Sequence, residues 1–126
     1  IPQTIGLSTQ RTAIAVFGSA ALFALPHLAN PEVSGQFWWA LLAYGALGVP
    51  WTYAAIRTGD LSTAIGAHYA NNFFGLLIVG YANSALPSYS LWVSPAASMP
   101  VAAVVGSVAA AIWCSWIRWR TRSVAQ

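Results

Sequence analysis

The chain has 126 residues, 58% of them apolar and only 6% charged. That length fits one domain. A soluble domain carries about 25% charged residues, so this composition excludes a soluble globular protein. The net charge of +3 is too small to mark a nucleic-acid binder. The single cysteine, Cys114, excludes an intrachain disulfide and a cysteine metal cluster. Glu32 and Asp60 are the only acidic residues, which excludes chemistry built on several carboxylates.

Four uncharged apolar stretches follow one another along the chain, at about 12–28, 37–56, 61–81 and 96–117. Each is long enough to cross a hydrocarbon core of about 30 Å as a helix, and helix is the form that satisfies its own backbone in lipid. The expected fold is therefore all-α: one polytopic membrane helix bundle over 1–126 with about four transmembrane helices. The connections carry breakers, "ANPEVSGQ", "RTGD" and "NSALPSYS" followed by "SP". Asp60 or Ser62 is placed to cap the third helix. Pro26 and Pro50 fall inside the first and second helices and are expected to kink them. In the fourth, Ala102, Gly106, Ala110 and Cys114 recur every four residues, a small-residue stripe that lets helices approach closely.

With four spans, Arg11, Arg57, Arg118, Arg120 and Arg122 all fall on one side and Glu32 on the other. An odd number of spans would break that agreement. Because arginine and lysine concentrate on the cytoplasmic side, both ends of the chain are expected to be cytoplasmic. Trp38, Trp39, Tyr81, Tyr89 and Trp92 then lie near the outer interface, and Trp51, Trp116 and Trp119 near the inner one, as an aromatic belt requires. The chain begins at Ile1 and shows no signal peptide. It reads as a piece of a longer protein or a processed product. Its alanine-rich, arginine-over-lysine composition points to a bacterial cell membrane.

Polar residues inside these spans are the candidates for chemistry. His27 and His68 are the only histidines, and each lies in a predicted span, where an ionisable side chain usually faces a partner or a cavity. Phe23 and His27 are four residues apart and share a helix face, as do His68 and Asn72. Asn71 points elsewhere and reads as a helix–helix hydrogen-bonding residue.

The pairs Phe-x-x-x-His at "FALPH" and His-x-x-x-Asn at "HYANN", in that order and with "RTGDLSTAIGAHYANN" leading into the second, resemble the CAAX protease and bacteriocin-processing family of intramembrane proteases. The resemblance covers about Thr12 to Leu77. It implies a helical bundle that hydrolyses peptide bonds of membrane-associated proteins or peptides, with links in bacteria to bacteriocin processing or self-immunity. It implies that His27 and His68 orient a catalytic water or ligate a metal, that Asn72 stabilises the oxyanion or fixes a neighbouring side chain, and that Phe23 supports them. The family's further motif, Glu-Glu-x-x-x-Arg, precedes these two. No acidic residue precedes Glu32, so its expected position lies upstream of Ile1, and Glu32 does not match it. Peptide hydrolysis needs an activated water, a proton donor and oxyanion stabilisation, so this stretch holds part of such a site. Two histidines and a carboxylate can ligate zinc, which makes zinc the metal to consider.

One count opposes a shared site. His27 lies about 24 Å along its helix from Arg11, and His68 about 12 Å from Asp60. The two would differ in depth by roughly 12 Å, too far to share a water unless tilt, the Pro26 kink or a lower start of the first helix closes the gap; imidazoles more than about 10 Å apart with no path between them exclude a shared site. Two readings stand beside the protease: a non-catalytic four-helix protein, structural or with a haem held between two axial histidines, and a proton-coupled exporter, which usually needs an embedded carboxylate.

Overall fold

The structure is a computed structural model and describes residues 9–86 and 89–123. Pro87 and Ser88, in the third connection, lie outside the described residues. Four helices form: α1 (Thr9–His27), α2 (Phe37–Thr58), α3 (Ser62–Leu77) and α4 (Met99–Ser123), with a 3-10 turn at Pro31–Val33 between the first two. The protein is an all-α helix bundle.

Helix direction alternates along the chain. The start of α2 packs on the start of α4, where Val33, Ala40, Ala43, Ala97, Met99 and Ala103 form the core cluster. At the far end Arg57 of α2 donates from Nε and Nη2 to the Thr121 hydroxyl of α4, at 3.2 and 2.8 Å. The two helices therefore run parallel, as the second and fourth passes of an up-and-down bundle must. Glu32 sits at one end of the bundle, and Arg57 with the C-terminal turns of α4 at the other.

Alanine and glycine make the bundle close-packed. Gly106, in the middle of the small-residue stripe, lies against α2: a Cβ there would meet the Ala46 Cβ at 3.5 Å. Gly48 is tighter. A Cβ on it would stand 2.9 Å from the Ala20 Cα, 3.2 Å from the Ala20 Cβ and 3.4 Å from the Phe23 ring. Only glycine lets α1 and α2 meet at that point. Pro26 and Pro50 lie inside α1 and α2. Gly59 ends α2 in the left-handed region (φ 70°), where its N–H bonds the Ala55 carbonyl, a conformation that glycine adopts without steric cost.

Among the described residues, two helices, Phe37–Thr58 and Met99–Arg122, are long and apolar enough to cross a membrane. Only 28% and 11% of their apolar windows are buried inside the protein, which is not the pattern of a soluble core helix. Ile14, Phe17, Leu22, Val101, Val104, Val105, Val108 and Ile112 also face outward, the surface that a lipid solvent tolerates and water does not. The other two helices are shorter or less apolar. In particular α3 has 16 residues, about 24 Å of helix.

The third helix stops at Leu77, not at Tyr81 as its apolar run suggests. Val79–Tyr81 instead pairs in parallel with Trp92–Ser94. The returning segment supplies donors to the carbonyls that end α3: the Ser90 hydroxyl bonds Gly75 O at 2.9 Å and Leu76 O at 3.1 Å. Leu91 N–H bonds Leu77 O, and Trp92 N–H bonds Ile78 O. Carbonyls at a helix C-terminus need such partners, and a folded-back strand meets that need as well as another helical turn would. At its start α3 takes a bond from Asp60, whose carboxylate accepts the Ser62 N–H at 2.8 Å and the Ser62 hydroxyl. Leu61 occupies the cap position itself.

Candidate active site

The site is organised on α2, which lies between the two motif helices. Tyr44, Gly48 and Trp51 are spaced by four and three residues, so they form one ridge. That ridge meets α1 and α3 together. Gly48 admits α1, so that Phe23 reaches Trp51 with ring centroids 5.3 Å apart and edges at 76°. Trp51 stacks on His68 of α3 at 4.9 Å and 21°. Tyr44 packs on His27 at 4.7 Å.

Phe23 joins the two histidines. Its ring centroid is 4.5 Å from that of His27 and 5.4 Å from that of His68. The imidazoles can be no farther apart than those two distances end to end, which is within the limit a shared site requires. The depth count from Arg11 and Asp60 misleads because it assumes that the helices start level. Register is set by contact: α1 is seated by Ala20 on Gly48, and α3 by His68 on Trp51.

The two imidazoles are held differently. His27 Nδ1 lies 2.7 Å from the Phe23 carbonyl oxygen. A carbonyl only accepts, so Nδ1 carries a proton and donates it, which leaves Nε2 as the ring nitrogen that can meet a water, a proton or a ligand. The Phe-x-x-x-His spacing thus does two things: it lays the two rings together and presents the carbonyl that fixes the tautomer. His68 is positioned by ring packing between Trp51 and Phe23. Both imidazoles are half-buried.

Asn72 is not brought to the histidines by a contact of its own. It is exposed on α3, and its Oδ1 accepts a 3.5 Å bond from the amide of Asn71, so the two asparagines meet one another.

Glu32, set aside by motif matching, is buried at 8% exposure. Its Oε1 accepts the Tyr44 hydroxyl at 2.9 Å and the Asn30 amide at 3.0 Å, and its Oε2 accepts the Ala85 N–H at 2.9 Å. Three donors compensate a carboxylate whose burial alone would be costly. Through Tyr44 this network abuts His27. Sequence reasoning missed Tyr44 and Trp51 as site residues, and placed Trp51 in the interfacial belt. The signal available was the Tyr44, Gly48, Trp51 ridge, which puts two aromatics on either side of a glycine.

Zinc takes four ligands as a rule. Among the described residues, no group of three or more His, Cys, Asp or Glu side chains gathers to hold a metal. His27 and His68 supply at most two donors, so the residues described do not make up a zinc site by themselves.

Phe23 thus gathers His27 of α1 and His68 of α3 at one place in a helix bundle, two of whose described helices have membrane-crossing length. A family described as type II CAAX prenyl endopeptidase Rce1-like matches residues 3–74, more than half of the chain, and the chain belongs to that family. It is an integral membrane protein of a protease family. A curated relative, the uncharacterized protein YyaK of Bacillus subtilis (strain 168), is 35% identical over 82 residues, which is 65% of this chain and 27% of the relative. The matched part is thus little more than a quarter of that relative's length. No solved structure matches.

Proposed function

We propose that this chain carries the two-histidine part of the catalytic centre of a CAAX-type intramembrane endopeptidase, which hydrolyses peptide bonds of membrane-associated proteins or peptides in a bacterial cell membrane. The observation that supports this most is the Phe23 ring in contact with both imidazoles. Residues from two motifs on two helices are gathered at one place, in a chain that belongs to the family.

In this reading the Nε2 lone pair of His27 holds or deprotonates a water beside His68. Phe23 and Trp51 keep the two rings apart and oriented, and Asn72 meets the substrate or its oxyanion from the open face of α3. A group that activates water must lie within hydrogen-bond reach of it, and the open sides of both imidazoles allow that. With the arginine end of the bundle cytoplasmic, both ends of the chain face the cytoplasm. Bacteriocin processing or self-immunity is the role that the family suggests for a bacterial member.

The test expresses the protein from its natural gene, purifies it, and assays cleavage of a prenylated CAAX peptide and of unmodified membrane peptides. His27→Ala and His68→Ala are each expected to lose at least about 100-fold in kcat, the scale of a removed acid–base group. Full activity in either variant overturns that residue's role. A Soret band in the purified protein would instead mark the bis-histidine haem alternative.

A further inference from the structure

At the arginine end of the bundle, away from the histidines, a cleft of about 550 Å³ opens between α1, α2 and α4. Its wall changes character with depth. Arg57, Arg118 and Arg122 line the mouth with Ile56 beside them, and Phe17 and Val49 line it farther along α1 and α2. From Arg57 to Val49 is about 12 Å along α2, the step from a headgroup level into hydrocarbon.

The arginines converge by construction. Arg118, Thr121 and Arg122 share one face of α4, and Thr121 holds Arg57 by the two bonds described above. A guanidinium has five N–H donors, so Arg57 keeps three for another acceptor in a position already fixed. Among the described residues, no carboxylate lines this cleft. Of the two acidic side chains in the sequence, Glu32 is bound at the opposite end, and Asp60 accepts from Ser62. Among the described residues, no ion pair neutralises Arg57, Arg118 or Arg122.

We propose that this cleft is a binding site for an anionic phospholipid: the phosphate lies between the three guanidinium groups and one acyl chain lies along Phe17, Val49 and Ile56. The charge calls for an anion, and the apolar depth calls for an amphiphile rather than a free ion. Arginine suits phosphate because its planar fork bonds two oxygens at once. The volume is within the range of small-molecule sites. The proposal does not depend on proteolysis.

The test is native mass spectrometry of the purified chain in mild detergent, titrated with phosphatidylglycerol or phosphatidylcholine, with a parallel arm containing inorganic phosphate. One phosphatidylglycerol is expected to be retained in clear preference to phosphatidylcholine. Arg118→Gln and Arg122→Gln are each expected to weaken retention roughly fivefold, and the pair roughly twentyfold, from the attraction of one basic side chain for an acidic lipid surface. Arg120→Gln makes the same change in net charge outside the cleft and is expected to leave retention unchanged. Arg118 and Arg122 are exposed, and far-UV circular dichroism checks that the variants keep their helices. Equal retention of the two lipids, an equal loss in Arg120→Gln, or displacement by inorganic phosphate at the lipid's own concentration would each overturn the proposal.

Discussion

The two motif helices are held in the bundle by different means. On α1, Val16, Ala20 and Ala24 are buried, Ala20 lies on Gly48, and His27 is fixed by the Phe23 carbonyl and the Tyr44 ring. On α3 no residue is buried. Its histidine rests on Trp51 and Phe23, while Ile65, Tyr69, Phe73 and Phe74 face outward. The first half of the site is thus part of the core, and the second is docked against it by aromatic contact. Disturbing the packing of α1 should cost stability and activity together. Disturbing the seat of α3 should cost activity with a smaller loss of stability.

Gly48→Leu breaks this contrast most severely. A side chain there meets the Ala20 backbone and the Phe23 ring, so α1 must move. Overpacking on this scale costs about 3 kcal/mol, seen as a large fall in the thermal midpoint in detergent, with activity lost as well. Glu32→Ala comes next. It leaves the Tyr44 hydroxyl, the Asn30 amide and the Ala85 N–H without their acceptor, a loss of about 2 kcal/mol. Glu32→Gln, which keeps one acceptor oxygen, is expected to lose less, and thermal unfolding of the two variants side by side checks the order.

Trp51→Ala sharpens the comparison from the other side. Removing its stack on His68 and its edge contact with Phe23 should cost about 2 kcal/mol of stability, less than Gly48→Leu, yet lower kcat roughly tenfold because the second imidazole is no longer oriented. Trp51→Phe should recover most of that loss. If Trp51→Ala unfolds the protein as readily as Gly48→Leu, α3 is not the lightly held element described.

The smallest effect concerns the start of α3. The Asp60 carboxyl is held below its ordinary value by the bonds it accepts from the Ser62 hydroxyl and backbone N–H. A lowered carboxyl pKa stabilises the fold above the ordinary carboxylate range, and that contribution fades as pH falls through the lowered value. An acid titration should therefore show a slight loss of stability that is absent in Asp60→Ala. Asp60 is fully exposed, so the difference should shrink further in high salt.

The helices were legible in the sequence, and so was the pairing of Phe23 with His27, because a spacing of four on an apolar helix places two side chains on one face wherever the helix goes; Asn72 instead meets its neighbour Asn71. The sequence also separated the ends of the bundle, since Glu32 and the arginines of α4 can be sorted by counting passes. It could not show which residue would bridge the motifs. That depends on the register between α1, α2 and α3, which Gly48 sets by close approach and Trp51 by stacking, and no count along a single helix contains it. The end of α3 was hidden for a similar reason: the apolar run continues past Leu77, and what stops it is Ser90, distant in sequence, supplying a hydroxyl to the final carbonyls. Glu32 looked like a loop acid because its three partners, Asn30, Tyr44 and Ala85, come from three segments.

The central claim is that His27 and His68 act as one unit across Phe23. A double-mutant cycle on peptide cleavage, with the protein expressed from its natural gene, tests it most directly. If the two imidazoles serve one step, the doubly substituted His27→Ala, His68→Ala protein should lose no more activity than the worse single variant, because removing either already disables the unit. Losses that multiply would show two independent contributions and contradict the account.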